Sequence, residues 1–143
     1  MGSKLLLVED DAAIAAMLST ALARWGYETL HAASAAAAVR VARIYGEDIG
    51  VVLCDVALPD KSGAAVAATI RRHCPDVWII FTSGYPVDVL TERGLLQPGA
   101  LNEPGTAYLA KPYLPRDVRD MVGCAFLTKV ERAAKGVHAA AAY

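Results

Sequence analysis

Five short runs of strand-forming residues recur along this chain, near Lys4 to Val8, Glu28 to Ala32, Val51 to Cys54, Trp78 to Phe81 and Ala107 to Ala110. Segments long enough for a helix separate them, with a longer turn-rich stretch before the last run. Strands that alternate with helices pair in parallel through crossover connections. The pattern therefore restricts the fold to α/β: a doubly wound, five-stranded parallel sheet between two helical layers. With 143 residues, 55% of them hydrophobic, the chain has material for one such domain and little for a second. Residues 1–136 are expected to form that domain, and 137–143 a disordered tail.

The intervening segments carry helix signals. Between Ala12 and Trp25, the larger apolar residues Ile14, Met17, Leu18, Leu22 and Trp25 recur at three- and four-residue intervals and predict one helix face, stopped by Gly26. Ser34 is placed to cap an alanine-rich second helix that offers Val39, Val41 and Ile44 as apolar contacts and ends at Gly46. A third helix is predicted from Gly63 to His73, with Val66 and Ile70 on one face and Pro75 preventing continuation. From Tyr85 to Thr106 the prolines and glycines at 86, 94, 98, 99, 104 and 105 predict a short helix around Val87 to Arg93, then a long loop over 94–106. The last helix begins after Pro115, turns Val118, Met121, Val122, Ala125 and Phe126 toward the sheet, and extends to about Lys135.

Composition excludes several classes of function. The formal net charge is -1, from 14 basic and 15 acidic residues without a long run of either sign, which argues against electrostatic binding to nucleic acid or an anionic membrane. Cys54, Cys74 and Cys124 are odd in number and lack metal-ligand spacing, so a reducing cytoplasm is expected, with Cys54 a small hydrophobe inside a buried strand. Met1-Gly2-Ser3-Lys4 runs into a strand without a cleavage-site pattern, and no apolar stretch approaches the roughly 20 residues that span a bilayer. Leu6 stands where the myristoylation pattern needs Ser or Thr. A soluble cytoplasmic protein is the expectation.

Reactive side chains collect where the strands stop: Glu9-Asp10-Asp11 after the first, Asp55 after the third, Thr82-Ser83 after the fourth, Lys111-Pro112 after the fifth. If the first and third strands are neighbours, three or four carboxylates meet at one sheet edge, where open α/β folds place their sites. Like charges at that distance demand a cation, and oxygen-only ligands suit Mg²⁺. A carboxylate beside Mg²⁺ can act as a nucleophile toward phosphorus, because the cation offsets its repulsion from phosphoryl oxygens. Thr82 can donate a hydrogen bond to such an oxygen, and Lys111 brings a compact positive charge.

Each residue also has a plainer reading. The acids at 9–11 could cap the first helix, Asp55 could be a turn residue, and Lys111 could be a solvated surface lysine. Thr82 could be an ordinary strand-end hydroxyl, with Ser83 the alternative in its place. Tyr108 could be a half-buried strand aromatic. His31, His73 and His138 fall on unrelated segments and form no metal triad, so exposure is expected. Trp25 and Trp78 read as core or core-edge residues, and Arg71-Arg72 as a solvated helix end.

Four groups of residues raise the site reading above these alternatives: Leu7-Val8-Glu9-Asp10-Asp11, Asp55-Val56-Ala57-Leu58-Pro59-Asp60-Lys61-Ser62-Gly63, Thr82-Ser83-Gly84 and Tyr108-Leu109-Ala110-Lys111-Pro112-Tyr113. In order and spacing, the chain from about Lys4 to Lys135 resembles a response-regulator receiver domain of two-component signalling, of the single-domain, chemotaxis-regulator-like kind. The resemblance implies a flavodoxin-like (βα)5 three-layer sandwich. It implies Asp55 as phospho-acceptor, Asp10 as a direct Mg²⁺ ligand, Glu9 as an acid acting mainly through water, and Asp55 and the Ala57 backbone carbonyl in the same metal set. Thr82 and Lys111 would engage the phosphoryl group, Thr82 and Tyr108 would form the switch, and Lys111-Pro112 would be cis.

The resemblance also implies a histidine kinase or histidine phosphotransfer protein as phosphate source, and a signalling switch rather than a turnover enzyme. No helix-turn-helix pattern or basic patch follows the last helix, so a stand-alone receiver acting on another protein, without DNA binding, is expected. A homodimer through the face of the last helix and strand stays open. So does a non-phosphorylated pseudo-receiver that works purely as an interaction module. A phosphohydrolase with an aspartyl nucleophile is disfavoured, because Ala57 stands where such enzymes commonly carry a second acid. The chain departs from the family where 29 positions separate Thr82 from Lys111, several more than expected, the excess lying in the 94–106 loop beside the usual output face of fourth helix, fifth strand and fifth helix. Small residues at Ala57 and Gly84 leave water free access to an acyl phosphate, which predicts a short-lived phosphorylated state.

Overall fold

The computed structural model describes residues 2–141. Its elements are β1 (Lys4–Val8), α1 (Ala12–Arg24), β2 (Glu28–Ala32), α2 (Ala35–Tyr45), β3 (Ile49–Asp55), α3 (Gly63–His73), β4 (Trp78–Ser83), α4 (Val87–Glu92), β5 (Thr106–Ala110) and α5 (Pro115–Ala141). The five strands form one sheet in the order β2-β1-β3-β4-β5, every pairing parallel. Its order reverses between β1 and β3, and ligands of such sheets bind outside the strand ends at that reversal.

Burial on both faces explains why the central strands lack polar alternation. Leu5 and Leu7 of β1, with Val51 and Leu53 of β3, face α1 and α5 and pack with Leu18, Leu22, Val118 and Val122. Leu6 and Val8, with Val52 and Cys54, face the other way and pack with Val66, Ile70 and Leu90. All seven residues of β3 are buried. The edge strand β5 is only half-buried along most of its length.

Helix ends follow their expected chemistry. Asp11 accepts hydrogen bonds from the N–H groups of Ala13 (3.0 Å) and Ile14 (3.1 Å), Ser34 caps α2 and Ser62 caps α3. Of the three acids after β1, Asp11 is thus the helix cap, which leaves Glu9 and Asp10 available to the sheet edge. Gly26 turns the chain out of α1 at φ 89°, a region that other residues enter at a cost.

Four expectations need correction. Met17 and Trp25 do not belong to the buried face of α1: they are 47% and 38% exposed, and the Arg119 guanidinium lies 4.8 Å from the Trp25 ring centroid. Ala15, Leu18 and Leu22 make that face instead. On α2, Ala35, Ala38 and Ala42 are the buried residues and Val41 packs beside them as expected, while Ile44 is 75% exposed. Side-chain size is thus an incomplete guide: Ile14, Leu18, Leu22 and Val41 do pack against the core, but Ala15, Ala35, Ala38 and Ala42 share those faces and Met17, Trp25 and Ile44 do not. Arg71 is not solvated: it donates to the Gly105 carbonyl at 3.0 Å and to Thr106 Oγ1 at 2.7 Å. Finally, α5 extends past its expected end near Lys135 to Ala141. Ala142 and Tyr143, and the side chain of His138, lie outside the description.

The 94–106 loop is less open than its glycines and prolines suggest. Leu96 is 2% exposed, Leu95, Ala100 and Leu101 pack against the α2–α3–α4 core, and residues Ala100–Asn102 form a 3-10 turn. Among the described residues, no helix is long and apolar enough to cross a membrane.

Candidate functional site

The C-terminal ends of β1, β3, β4 and β5 converge at one edge of the sheet. Register places Asp55 beside Thr82, and the Val56 N–H donates to the Thr82 carbonyl at 2.9 Å, which fixes the end of β3 against β4. One carboxylate oxygen from each of Glu9, Asp10 and Asp55 lies within 4.8 Å of the others. Glu9 and Asp55 are buried, whereas Asp10 is exposed and opens the group to solvent.

The buried members are held by directed hydrogen bonds. Glu9 Oε1 accepts from the Asp11 N–H at 3.1 Å, and Asp55 Oδ1 accepts from the Ala57 N–H at 3.0 Å. Ala57 also bridges to Ser62 across the loop after β3. Gly63 makes this turn feasible: its N–H donates to the Val56 carbonyl at 2.6 Å, and a Cβ built there would collide with the Asp55 carbonyl. Lys111, from the end of β5, reaches back across the sheet, with Nζ 2.8 Å from Asp55 Oδ2 and 3.4 Å from Glu9 Oε2. The Lys111-Pro112 peptide is cis, and the Lys111 N–H donates to the Ser83 carbonyl at 2.8 Å.

Electrostatics in this cluster pull in opposite directions. Burial pushes the Glu9 carboxyl above its ordinary pKa and Asp55 repulsion adds to it, against the Asp11 N–H and the Lys111 charge. Burial alone would lower the Lys111 ammonium, but the adjacent Asp55 carboxylate outweighs it and leaves Lys111 raised. Cys54, next to Asp55, is pushed well above the usual thiol range by burial, so it packs as a hydrophobe.

The two strand-end hydroxyls have different surroundings. Ser83 Oγ accepts from the Tyr85 N–H at 3.0 Å, an engagement of its own, while buried Thr82 sits at the Asp55 register position. Tyr108 is half-buried, and its hydroxyl donates to the Tyr85 carbonyl at 2.8 Å and weakly to the Ser83 carbonyl at 3.5 Å. His31 lies on the outer strand with Nε2 2.9 Å from the Glu9 carbonyl oxygen, outside the acid group.

Sequence reasoning passed over two neighbours. Tyr113 has a half-buried hydroxyl pushed upward first by burial, within electrostatic reach of Lys111, Glu9 and Asp55. Asp60 crosses from the β3–α3 loop to α2, where Oδ1 accepts from Ala35 N–H at 2.9 Å and Oδ2 from Ala36 N–H at 3.1 Å. The available signal was an acid in a loop expected to pass near a helix N-terminus, and sequence alone does not reveal which helix.

The donor set fits a hard divalent cation: three carboxylates, oxygen only, one side open to water, and a net negative charge that one lysine does not cancel. Glu9, Asp10 and Asp55 could hold such an ion.

A parallel, doubly wound sheet that gathers three carboxylates and a lysine at its strand ends is an α/β architecture with its site in the usual place for that fold. The family model for the response regulator receiver domain matches residues 5–123. The chain is 34% identical to the transcriptional regulatory protein KdpE of Staphylococcus aureus over 135 residues, 94% of this chain and 52% of that protein. It is 32% identical to the response regulator protein FleR of Pseudomonas aeruginosa over 123 residues, 85% of this chain and 24% of that protein. A CheY-like response regulator receiver domain protein from Methanospirillum hungatei superposes with a TM-score of 0.72 at 25% identity, covering 92% of this chain and 99% of that one. The chain belongs to the response regulator receiver domain family. It spans about half or less of the length of these two curated relatives.

Proposed function

We propose that Asp55 is the phospho-acceptor of a Mg²⁺-dependent switch whose functional unit is residues 1–136. A histidine kinase or a histidine phosphotransfer protein is the source of the phosphoryl group, and the output is a change in affinity for another protein in the cytoplasm. The observation that carries this reading is the convergence at one sheet edge of Asp55, the Glu9 and Asp10 carboxylates, and Lys111 2.8 Å from Asp55.

In the transfer, the phosphorus–nitrogen bond of a phosphohistidine breaks and a phosphorus–oxygen bond to an Asp55 carboxylate oxygen forms, leaving the imidazole to recover a proton from solvent. A divalent ion held by Glu9, Asp10, Asp55 and the Ala57 carbonyl supplies positive charge against the phosphoryl oxygens. Asp55 is oriented by the Ala57 N–H, so it need not reorganise to attack. Lys111 can exchange its contact with the Asp55 carboxylate for one with a phosphoryl oxygen, and the Thr82 hydroxyl can donate to another. A shift of Thr82 toward that oxygen would be felt through the β4–α4 turn, where Tyr108 bonds to Tyr85, which supports Thr82 and Tyr108 as the switch pair.

Incubation with acetyl phosphate and Mg²⁺ followed by intact-mass measurement tests this reading. One phosphoryl adduct is expected, lost with Asp55→Ala and with chelation of the metal. An absent adduct, or one that persists in Asp55→Ala, defeats the proposal, and an absent adduct favours a pure interaction module. The exposed, small residues Ala57 and Gly84 leave the acyl phosphate open to water, so replacing both with bulky side chains should lengthen its half-life several-fold. An unchanged half-life removes steric access as the control.

A further inference from the structure

Away from the acid pocket, α2 and α3 lie side by side on the sheet and leave an open trough of about 330 Å³ between them. Its cause is compositional. The facing positions Ala35, Ala36 and Ala65 carry no side chain beyond Cβ, so the helices meet the sheet without filling the space between their outer faces. Val39 gives the floor an apolar surface, and Arg40, Arg43 and Lys61 line the trough as cations.

Several cations elsewhere in the fold have partners. Lys4, Lys111 and Arg119 each pair with a carboxylate, and Arg71 and Lys129 donate to backbone carbonyls. Arg40, Arg43 and Lys61 are exposed and have no hydrogen bond or ion pair among the described residues. Asp60, the residue before Lys61, spends both carboxylate oxygens on the N-terminus of α2. A chain of net charge -1 thus concentrates three uncompensated positive charges along one concave, apolar-floored surface.

We propose that this trough is a docking surface for an acidic, alanine-rich helical segment of a partner protein, its carboxylates pairing with Arg40, Arg43 and Lys61 and its small apolar side chains resting on the alanine floor. Charge complementarity selects the occupant. The volume admits a few side chains of one segment rather than a folded face. Nucleic acid is a poor fit, because the lining holds no aromatic side chain on which a base could stack and only three cations to follow a phosphate backbone. A second copy of this chain is also a poor fit: its longest acidic run, Glu9-Asp10-Asp11, is committed to the sheet edge and the cap of α1.

The position gives docking a route to the phosphoacceptor loop. Lys61 and Asp60 are consecutive in the loop after Asp55, one lining the trough and the other tying that loop to α2. The proposal itself does not depend on Asp55 chemistry, so either reading can fail without the other.

The test is a titration of ¹⁵N-labelled protein with a Glu/Ala-rich helical peptide, with a Lys/Ala-rich peptide and a short single-stranded oligonucleotide as comparators. Amide shifts confined to α2, the 60–62 segment and α3 are expected with the acidic peptide alone. Added salt should weaken binding several-fold. Arg40→Glu with Arg43→Glu should weaken it by about tenfold or more, and Lys61→Glu alone by less, each with an unchanged folded spectrum away from the trough. The proposal is overturned if no shifts appear there, if the charge-reversed proteins bind the acidic peptide as tightly as the original, or if the oligonucleotide competes for the same amides.

Discussion

The two halves of the sheet edge are built differently. On the β1–β3 side, the strands are buried on both faces and the carboxylates of Glu9 and Asp55 are fixed by backbone N–H groups two residues further on. On the β4–β5 side, α4 has six residues, β5 is half-buried, and the long connection is fastened at a few points: Leu96 in the core, Arg71 on Gly105 and Thr106, and Tyr108 on Tyr85. The contrast teaches that the chain carries its long connection where the sheet edge is loosely held, away from the backbone bonds that position Glu9 and Asp55. The acidic side is held by backbone hydrogen bonds, the other side by separate anchors.

If the anchors carry the second half, Leu96→Ala should have the largest effect, about 2–5 kcal/mol of stability in denaturant unfolding, the range for a buried leucine. A loss under about 1 kcal/mol would mean that the connection is peripheral. Arg71→Ala should cost less, about 1–3 kcal/mol, since it removes hydrogen bonds from a charged donor to the Gly105 carbonyl and Thr106. Hydrogen exchange should then rise at the start of β5 and remain unchanged at β1 and β3. Faster exchange at β3 as well would erase the distinction between the halves.

The smallest effect concerns Asp60, on the ordered side, and it depends on pH. Hydrogen bonds from the Ala35 and Ala36 N–H groups hold its carboxyl below the ordinary value of 3.8. An acid lowered in the folded state binds fewer protons there than in the unfolded chain. Its stabilising contribution is therefore present above pH 3.8 and fades as pH falls through the lower folded value. Asp60→Asn should be slightly less stable than the original at neutral pH, with the gap closing in strong acid. A gap of constant size across that range would exclude the carboxylate as its source.

Much of this architecture was legible in the sequence. Apolar runs were sufficient for β1, β3 and β4, because a strand buried on both faces has to be continuously hydrophobic, while the partly exposed β2 and β5 are marked by their place in the alternation of strands and helices. The acids, hydroxyls and lysine at strand ends were legible because parallel topology delivers all C-terminal ends to one edge. Side-chain size misled in part on α1 and α2: Leu18, Leu22 and Val41 pack inward, but so do Ala15, Ala35, Ala38 and Ala42, while Met17, Trp25 and Ile44 are exposed. The partners of Arg71 and Asp60 could not be foreseen, since each reaches a segment 24 or more positions away and either could equally have been a solvated charge. The 94–106 stretch was read through its turn residues, which describe local bends and say nothing of whether Leu96 is buried.

The buried Leu96 also bears on how the molecule meets proteases. Arg93 offers an exposed basic residue just ahead of the glycine- and proline-rich connection, a combination that ordinarily invites clipping by trypsin-like enzymes. A protease needs several residues of pliable backbone, and here that backbone can be released only by drawing a leucine out of the interior. Cleavage would then follow the rare opening of that region, so a segment that looks like a weak seam should survive digestion for as long as the domain stays folded.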